Sequence, residues 1–127
     1  EFGCLEYRTV RFETEILHSP NIQGNAVVNY TDREVPYTRI IEHKHFEMFG
    51  EDLYKVPVSV ISREYSTEWC QGMEPYYPVN DERNSKLFAR YQKKAASLPN
   101  VIFGGRLAEY RYYDMAPVIR SAMNYFE

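Results

Sequence analysis

The residues best equipped for chemistry sit in one run near the end of the chain, Val101-Ile102-Phe103-Gly104-Gly105-Arg106-Leu107-Ala108-Glu109-Tyr110-Arg111-Tyr112-Tyr113-Asp114. A residue without Cβ lets the main chain pass close to a phosphate-bearing or flat aromatic ligand, and Arg106 would arrive beside it as a planar cation. A strand ending in a tight turn with a solvated arginine accounts for the same residues, because a lone glycine pair is a weak motif. Arg8 falls on the apolar face of an alternating run, where a guanidinium either snorkels or meets an anion. His43 and His45 alternate as two ligands on one strand face would, but a metal site needs a third ligand at matching geometry, so no metal is expected. A solvated pair beside Glu42 and Lys44 on a polar edge is the plainer account.

These residues need a scaffold, and the patterning supplies one. From Arg8 to Ile16 the chain alternates, with Val10, Phe12, Thr14 and Ile16 on one face, as in a half-buried strand. Ala26–Tyr30 reads as a second strand, Tyr37–Phe46 as a third and Val58–Tyr65 as a fourth, with a loop at Gly50–Pro57. Four strands in succession predict an antiparallel meander. In Glu74-Pro75-Tyr76-Tyr77-Pro78 two prolines hold Tyr76 and Tyr77 extended, as a sugar platform or a stiff linker.

Asn80 or Asp81 can cap a helix reaching about Leu98, with Leu87, Phe88, Tyr91 and Ala95 on one stripe. Val101–Phe103 reads as a short apolar strand. Asp114 then caps a last helix with Val118, Ile119, Ala122 and Met123 as its buried face. The fold class is α+β: an antiparallel sheet over 1–78, then helix, short strand and helix over 79–127. The three-residue strand needs a sheet to join, so a piece of a longer protein is expected.

Composition narrows the partners. The chain has 127 residues, is 44% hydrophobic and carries a net charge of −3, which suits one core and argues against nucleic acid as the main partner. Cys4 and Cys70 stand far apart without a Cys-x-x-Cys pairing, so neither a disulfide framework nor a zinc site is indicated and a reducing, cytoplasmic setting is expected. No apolar run approaches the ~20 residues that span a bilayer. Aromatics make up 16% of the chain, and tyrosine, with twelve copies, dominates them. Such residues suit a wet groove that stacks on sugars or rings, although most are expected at half-buried strand positions.

Several segments are specific together where each alone is not: Leu5-Glu6-Tyr7-Arg8, Gln23 through Tyr30, Val35 through Phe46, Glu74 through Asp81, and Val101 through Met115. In this order they resemble the C-terminal third of the bacterial UDP-galactopyranose mutase family, over essentially the whole chain. The main departure is a longer loop around Phe49 to Lys55. The resemblance implies a flavoenzyme with an FAD-binding Rossmann-like domain, a helical domain and an antiparallel-sheet substrate domain. This chain would be the sheet domain plus the terminal return into the FAD domain. The Gly-x-Gly-x-x-Gly loop for the FAD pyrophosphate would lie outside it.

The activity implied is interconversion of UDP-galactopyranose and UDP-galactofuranose on reduced FAD, with flavin N5 attacking the anomeric carbon and the sugar opening and reclosing as an N5–sugar adduct. The product would feed bacterial cell-surface glycan. By the same carry-over, Arg8 and Arg39 match two guanidiniums that meet the diphosphate and serve catalysis. Asn29, Tyr77 and Tyr112 match substrate contacts, and Glu64 and Asp114 match acidic residues near the sugar and flavin. Gly105, Arg106, Asp114 and Met115 match the cofactor side, with the helix beginning at Met115 presenting its N-terminal amides to the flavin. Glu64 and Asp114 are equally explained as a strand-end salt bridge and a helix cap. The isolated chain is expected to be inactive, and a homo-oligomer is expected because Val101–Phe103 and the last helix would lack cover. The alternative is a nucleotide-sugar binding module without catalysis of its own.

Overall fold

The computed structural model describes residues 2–125. The fold is α+β. Strands β1 (Tyr7–Leu17), β2 (Val27–Asn29), β3 (Arg39–Glu42), β4 (Ser59–Glu68) and β5 (Tyr77–Pro78) form a five-stranded sheet in the order β2-β3-β4-β1-β5. Helices α1 (Glu82–Ala95), α2 (Gly105–Ala108) and α3 (Met115–Met123) follow. The expected meander holds for β2, β3 and β4, but β1 lies beside β4 instead of β2. The chain divides into two compact units, Val10–Thr67 and Glu1–Thr9 with Glu68–Glu127.

In the unit Val10–Thr67, antiparallel register places Val27 opposite Ile41 and Asn29 opposite Arg39, then Arg39 opposite Glu64 and Glu42 opposite Ile61. Ile40 and Ile61 are buried, but so are Glu42, Lys44, Ser59 and Ser62. The Glu42 carboxylate accepts from the amides of Ile22 (3.0 Å) and Gln23 (2.8 Å) and from Ser59 Oγ (2.5 Å). Lys44 Nζ donates to the carbonyls of Pro20 (2.7 Å) and Val56 (3.0 Å). This overturns the polar edge expected for Glu42 and Lys44, and it accounts for the early end of β3. The chain leaves the ladder after Glu42 and turns through a 3₁₀ segment, His43–His45, in which Lys44 ties the flanking loops instead of extending a strand. His43 Nε2 sits 2.8 Å from Ser62 Oγ, and His45 Nε2 3.2 Å from Glu42 Oε2, so neither is the solvated side chain expected. The Gly50–Pro57 loop is mostly a 3₁₀ segment, Glu51–Lys55.

On β1 and β4 the charged residues form a cross-strand ladder: Arg63 reaches Glu15 (2.9 Å), the Tyr65 hydroxyl donates to Glu13 (2.8 Å), and Arg11 lies over the Tyr65 ring (4.2 Å). The alternating apolar face is less covered than its pattern predicts, for Phe12 is 45% and Ile16 64% exposed.

In the other unit, β5 pairs with the start of β1, Tyr7 opposite Pro78 and Arg8 opposite Tyr77. Asp81 caps α1, its carboxylate accepting from the Asn84 amide (2.7 Å). Buried Asn84 in turn accepts from the Glu6 amide (3.1 Å) and donates to the Glu6 carboxylate (3.0 Å), fixing the helix to the residues that lead into β1. Helix α1 stops at Ala95, short of Leu98. Val101–Phe103 forms no strand: an isolated three-residue run has no ladder to stabilise it, and each of its side chains is about half exposed or more. The apolar stripe of α3, read from its spacing as a buried face, is likewise uncovered, with Ile119 59% and Met123 58% exposed, in line with the lack of cover expected for the last helix in this chain.

Candidate functional site

Within Val10–Thr67, the register sets Asn29, Arg39 and Glu64 in one row across β2, β3 and β4. Residues directly opposite one another in antiparallel strands share a face, so the row presents an amide, a guanidinium and a carboxylate together. Arg39 Nε lies 3.1 Å from Glu64 Oε1, an ion pair whose alignment leaves the Nε–H without a hydrogen bond. The same carboxylate oxygen accepts from Thr38 Oγ1 (2.7 Å). Glu64 therefore acts as the ion-pair partner of Arg39, whose side chain remains 39% exposed. Such a cation can add a second, bidentate oxygen partner, which a lysine could not do as well.

Glu42 sits three register positions from this row, at the other end of β3. Burial by itself would raise its carboxyl pKa, but hydrogen bonds from Ser59 and from the Gln23 and Ile22 amides, with His45 alongside, outweigh that and hold it below the ordinary range.

The second cluster belongs to the other unit and is built from tyrosines. Arg8 stands opposite Tyr77 in the β1–β5 pair. The Arg106 guanidinium lies 5.0 Å from the Tyr77 ring and 5.0 Å from the Tyr112 ring, and those rings are 5.7 Å apart. One terminal nitrogen of Arg106 donates to the Tyr76 carbonyl (2.7 Å), while Nε is buried with no hydrogen-bond partner. A buried N–H left open is costly unless something accepts from it, so this nitrogen favours an anionic or carbonyl oxygen. Gly105 adopts φ +86°, a left-handed conformation that a side chain resists, which starts α2 and turns Arg106 toward the tyrosines.

Asp114 occupies the N-cap position of α3 with extended backbone, but its side chain makes no cap hydrogen bond. It is exposed, and Met115 is 82% exposed. The cap expected of Asp114 is thus only positional.

Two residues that hold these clusters escaped the sequence reading. Glu109 accepts from the Gly105 amide (3.1 Å), Ser121 Oγ (2.9 Å) and the Tyr113 hydroxyl, joining α2 to α3; those bonds, Tyr113 foremost, lower its pKa despite partial desolvation. Its spacing of four from Gly105 is the only signal in the sequence. Tyr110 is buried at φ +48°, uncommon for a bulky residue, and nothing separates it in sequence from Tyr112 and Tyr113. Among the described residues no cluster of His, Cys, Asp or Glu could hold a metal ion, and no helix is long and apolar enough to cross a membrane.

Comparison with known proteins identifies the family. The family model for UDP-galactopyranose mutase matches residues 1–112. A dTDP-fucopyranose mutase of Escherichia coli is 40% identical over 97% of this chain and 32% of its own length. A probable UDP-galactopyranose mutase of Klebsiella pneumoniae is 39% identical over 97% of this chain and 31% of its own, and the UDP-galactopyranose mutase of Mycoplasma pneumoniae is 36% identical over 96% and 31%. The chain therefore spans about a third of the length of these relatives. With a match that runs from its first residue to Tyr112, the chain belongs to the UDP-galactopyranose mutase family.

Proposed function

We propose that the protein carrying this chain is an FAD-dependent isomerase that interconverts UDP-galactopyranose and UDP-galactofuranose. The observation that carries this reading is the row of Asn29, Arg39 and Glu64, an aligned and partly exposed guanidinium on a family-matched strand. Arg39 is assigned to the diphosphate, and Arg8, opposite Tyr77, is a candidate for an oxyanion within its own unit. A guanidinium 4 Å from a departing phosphate oxygen contributes about 4 kcal/mol of attraction at an effective dielectric of 20, before desolvation. Glu64 keeps Arg39 oriented between turnovers, and Asn29 beside it offers an amide to a sugar or phosphate oxygen.

The residues on the cofactor side fit FAD: the open Arg106 Nε–H can meet an oxygen of the cofactor, and the α3 N-terminus, left without a side-chain cap by Asp114, can face a negative ring edge. FAD, when bound in its reduced form, supplies the nucleophile for the anomeric carbon of the sugar. Tyr77 and Tyr112 keep Arg106 in place and give the sugar or a ring a flat apolar surface. Asp114 and Met115 line the approach to the helix end.

The E. coli relative favours a second reading, in which the sugar nucleotide is dTDP-fucopyranose. Full-length protein with dithionite-reduced FAD, given each nucleotide sugar in turn, separates the two by chromatography of the products. Conversion of UDP-galactofuranose is expected; conversion of the fucose compound alone replaces the first reading with the second. Binding of both without turnover would leave a nucleotide-sugar module instead of an enzyme. The isolated chain is expected to show no turnover and to associate with itself through Val101–Phe103 and the open stripe of α3.

A further inference from the structure

We infer that Tyr110 is a positioning residue: its buried phenol ties together the three backbone segments that carry Arg8, Tyr77 and the Arg106–Tyr112 pair. This rests on the function proposed above and adds a residue that acts through others without touching the sugar nucleotide.

The Tyr110 hydroxyl lies 2.5 Å from the Glu6 carbonyl, just ahead of β1 and Arg8. It also lies 3.0 Å from the Val79 carbonyl and accepts from the Val79 amide at 3.2 Å, just beyond β5 and Tyr77. One hydroxyl thus bridges the two strands of the β1–β5 pair at their outer end. Its own backbone closes α2, with the Tyr110 amide donating to Leu107 (3.1 Å) and the Arg111 amide to Arg106 (3.2 Å). The left-handed turn at φ +48° then redirects the chain so that Tyr112 comes back over Arg106. A bulky residue is held in that conformation only where its surroundings overdetermine it, and here the Tyr7 ring (5.3 Å), the Phe88 ring (5.5 Å) and the hydroxyl bonds do so. The Val79 amide also donates to the Glu6 carbonyl directly (3.1 Å), so the strands stay joined without the phenol. What the phenol adds is the fixed placement of 105–112 against them.

Tyr110→Phe keeps the ring and removes only the hydroxyl, so folding is retained. In the full-length protein the variant is expected to raise KM for the nucleotide sugar about 5- to 10-fold with kcat changed much less, consistent with a loosened binding surface. The same substitution made in a Tyr112→Ala background is expected to add no further loss. A purely structural role would lower the folded fraction and leave KM of the folded enzyme unchanged, and that result, or additive losses in the double variant, overturns the proposal. Amide exchange supplies a readout free of turnover: it is expected to quicken several-fold over residues 105–113 and not over 25–65, and unchanged exchange at 105–113 also overturns it. If the unmodified protein converts neither nucleotide sugar, the mutase reading fails, and the exchange result alone decides the role of Tyr110.

Discussion

Arg39 and Arg106 are held in opposite ways. Arg39 leans on a carboxylate, Glu64, in a unit whose interior is organised by Glu42 and Lys44. Arg106 is flanked by the faces of Tyr77 and Tyr112 and anchored to a backbone carbonyl, in a unit pinned by tyrosine hydroxyls. A carboxylate aligns a guanidinium but cancels most of its charge until a stronger anion competes, whereas ring faces align it and leave the charge available. The first arrangement suits an anion that arrives and leaves with each turnover. The second suits a group that stays bound.

The largest expected effect tests the first half of that contrast. Arg39→Ala in the full-length protein should lower kcat/KM for the nucleotide sugar by about a thousandfold, the kinetic equivalent of roughly 4 kcal/mol. Arg39→Lys should recover only part of this, since a point charge cannot meet two oxygens as the fork does. A loss of less than tenfold for the alanine variant would remove Arg39 from the diphosphate. Next in size is Glu42→Gln, which puts an NH₂ against three donors that now meet a carboxylate. Urea denaturation should register a loss of about 2–4 kcal/mol, and a loss below 1 would mean the polar interior does not organise its unit.

Much of the scaffold was readable and the reason is local. Alternation marked β1 and a β-branched run β4, and a capping residue at Asn80 or Asp81 marked the start of α1, because each signal lies within a few residues of the element it starts. The end of β3 was hidden because Glu42 and Lys44 find their partners at Ile22, Gln23, Ser59, Pro20 and Val56, none of which alternation can foresee. The strand expected at Val101–Phe103 failed for the converse reason, a strand-like composition with no ladder beside it among the described residues. Residue types pointed to Arg8 and Arg106 and the resemblance to Arg39, but only the register set Asn29 and Glu64 on either side of Arg39. Tyr110 was invisible because its importance lies in one hydroxyl and one backbone angle.

Acid should act on each unit through its own hydrogen-bonded carboxylate. The pKa of Glu42 is lowered in the folded protein, so its contribution to stability is complete above the unfolded carboxyl value and is lost as pH falls through the folded one. Amide exchange over residues 21–25, measured from pH 6 downward, should quicken in step with that loss, and Glu42→Gln should abolish the dependence. A similar loss at Gly105 would follow Glu109, which is lowered for its own set of hydrogen bonds. Gly105→Ala is a smaller perturbation: open space awaits the methyl group, but φ +86° disfavours it by about 1 kcal/mol. Thermal melting that moves by no more than the experimental error would show that α2 can start without the left-handed turn.

The smallest expected effect on stability separates two roles that coincide at Asp114. A helix N-cap usually stabilises through a side-chain oxygen that accepts from the first-turn amides, and its removal typically costs about 1 kcal/mol. Asp114 holds the cap position on α3 without making that bond, and it stays exposed. Asp114→Ala should therefore shift unfolding by less than about 0.5 kcal/mol. If the carboxylate serves the site, the same variant should still alter KM or FAD affinity several-fold, since neither depends on capping. A stability loss near the usual cap value with unchanged binding would reverse the assignment and return Asp114 to the helix alone. The contrast with Arg39 is then complete, because there a carboxylate restrains a functional cation, whereas here the carboxylate's freedom from its helix is what leaves it available to a ligand.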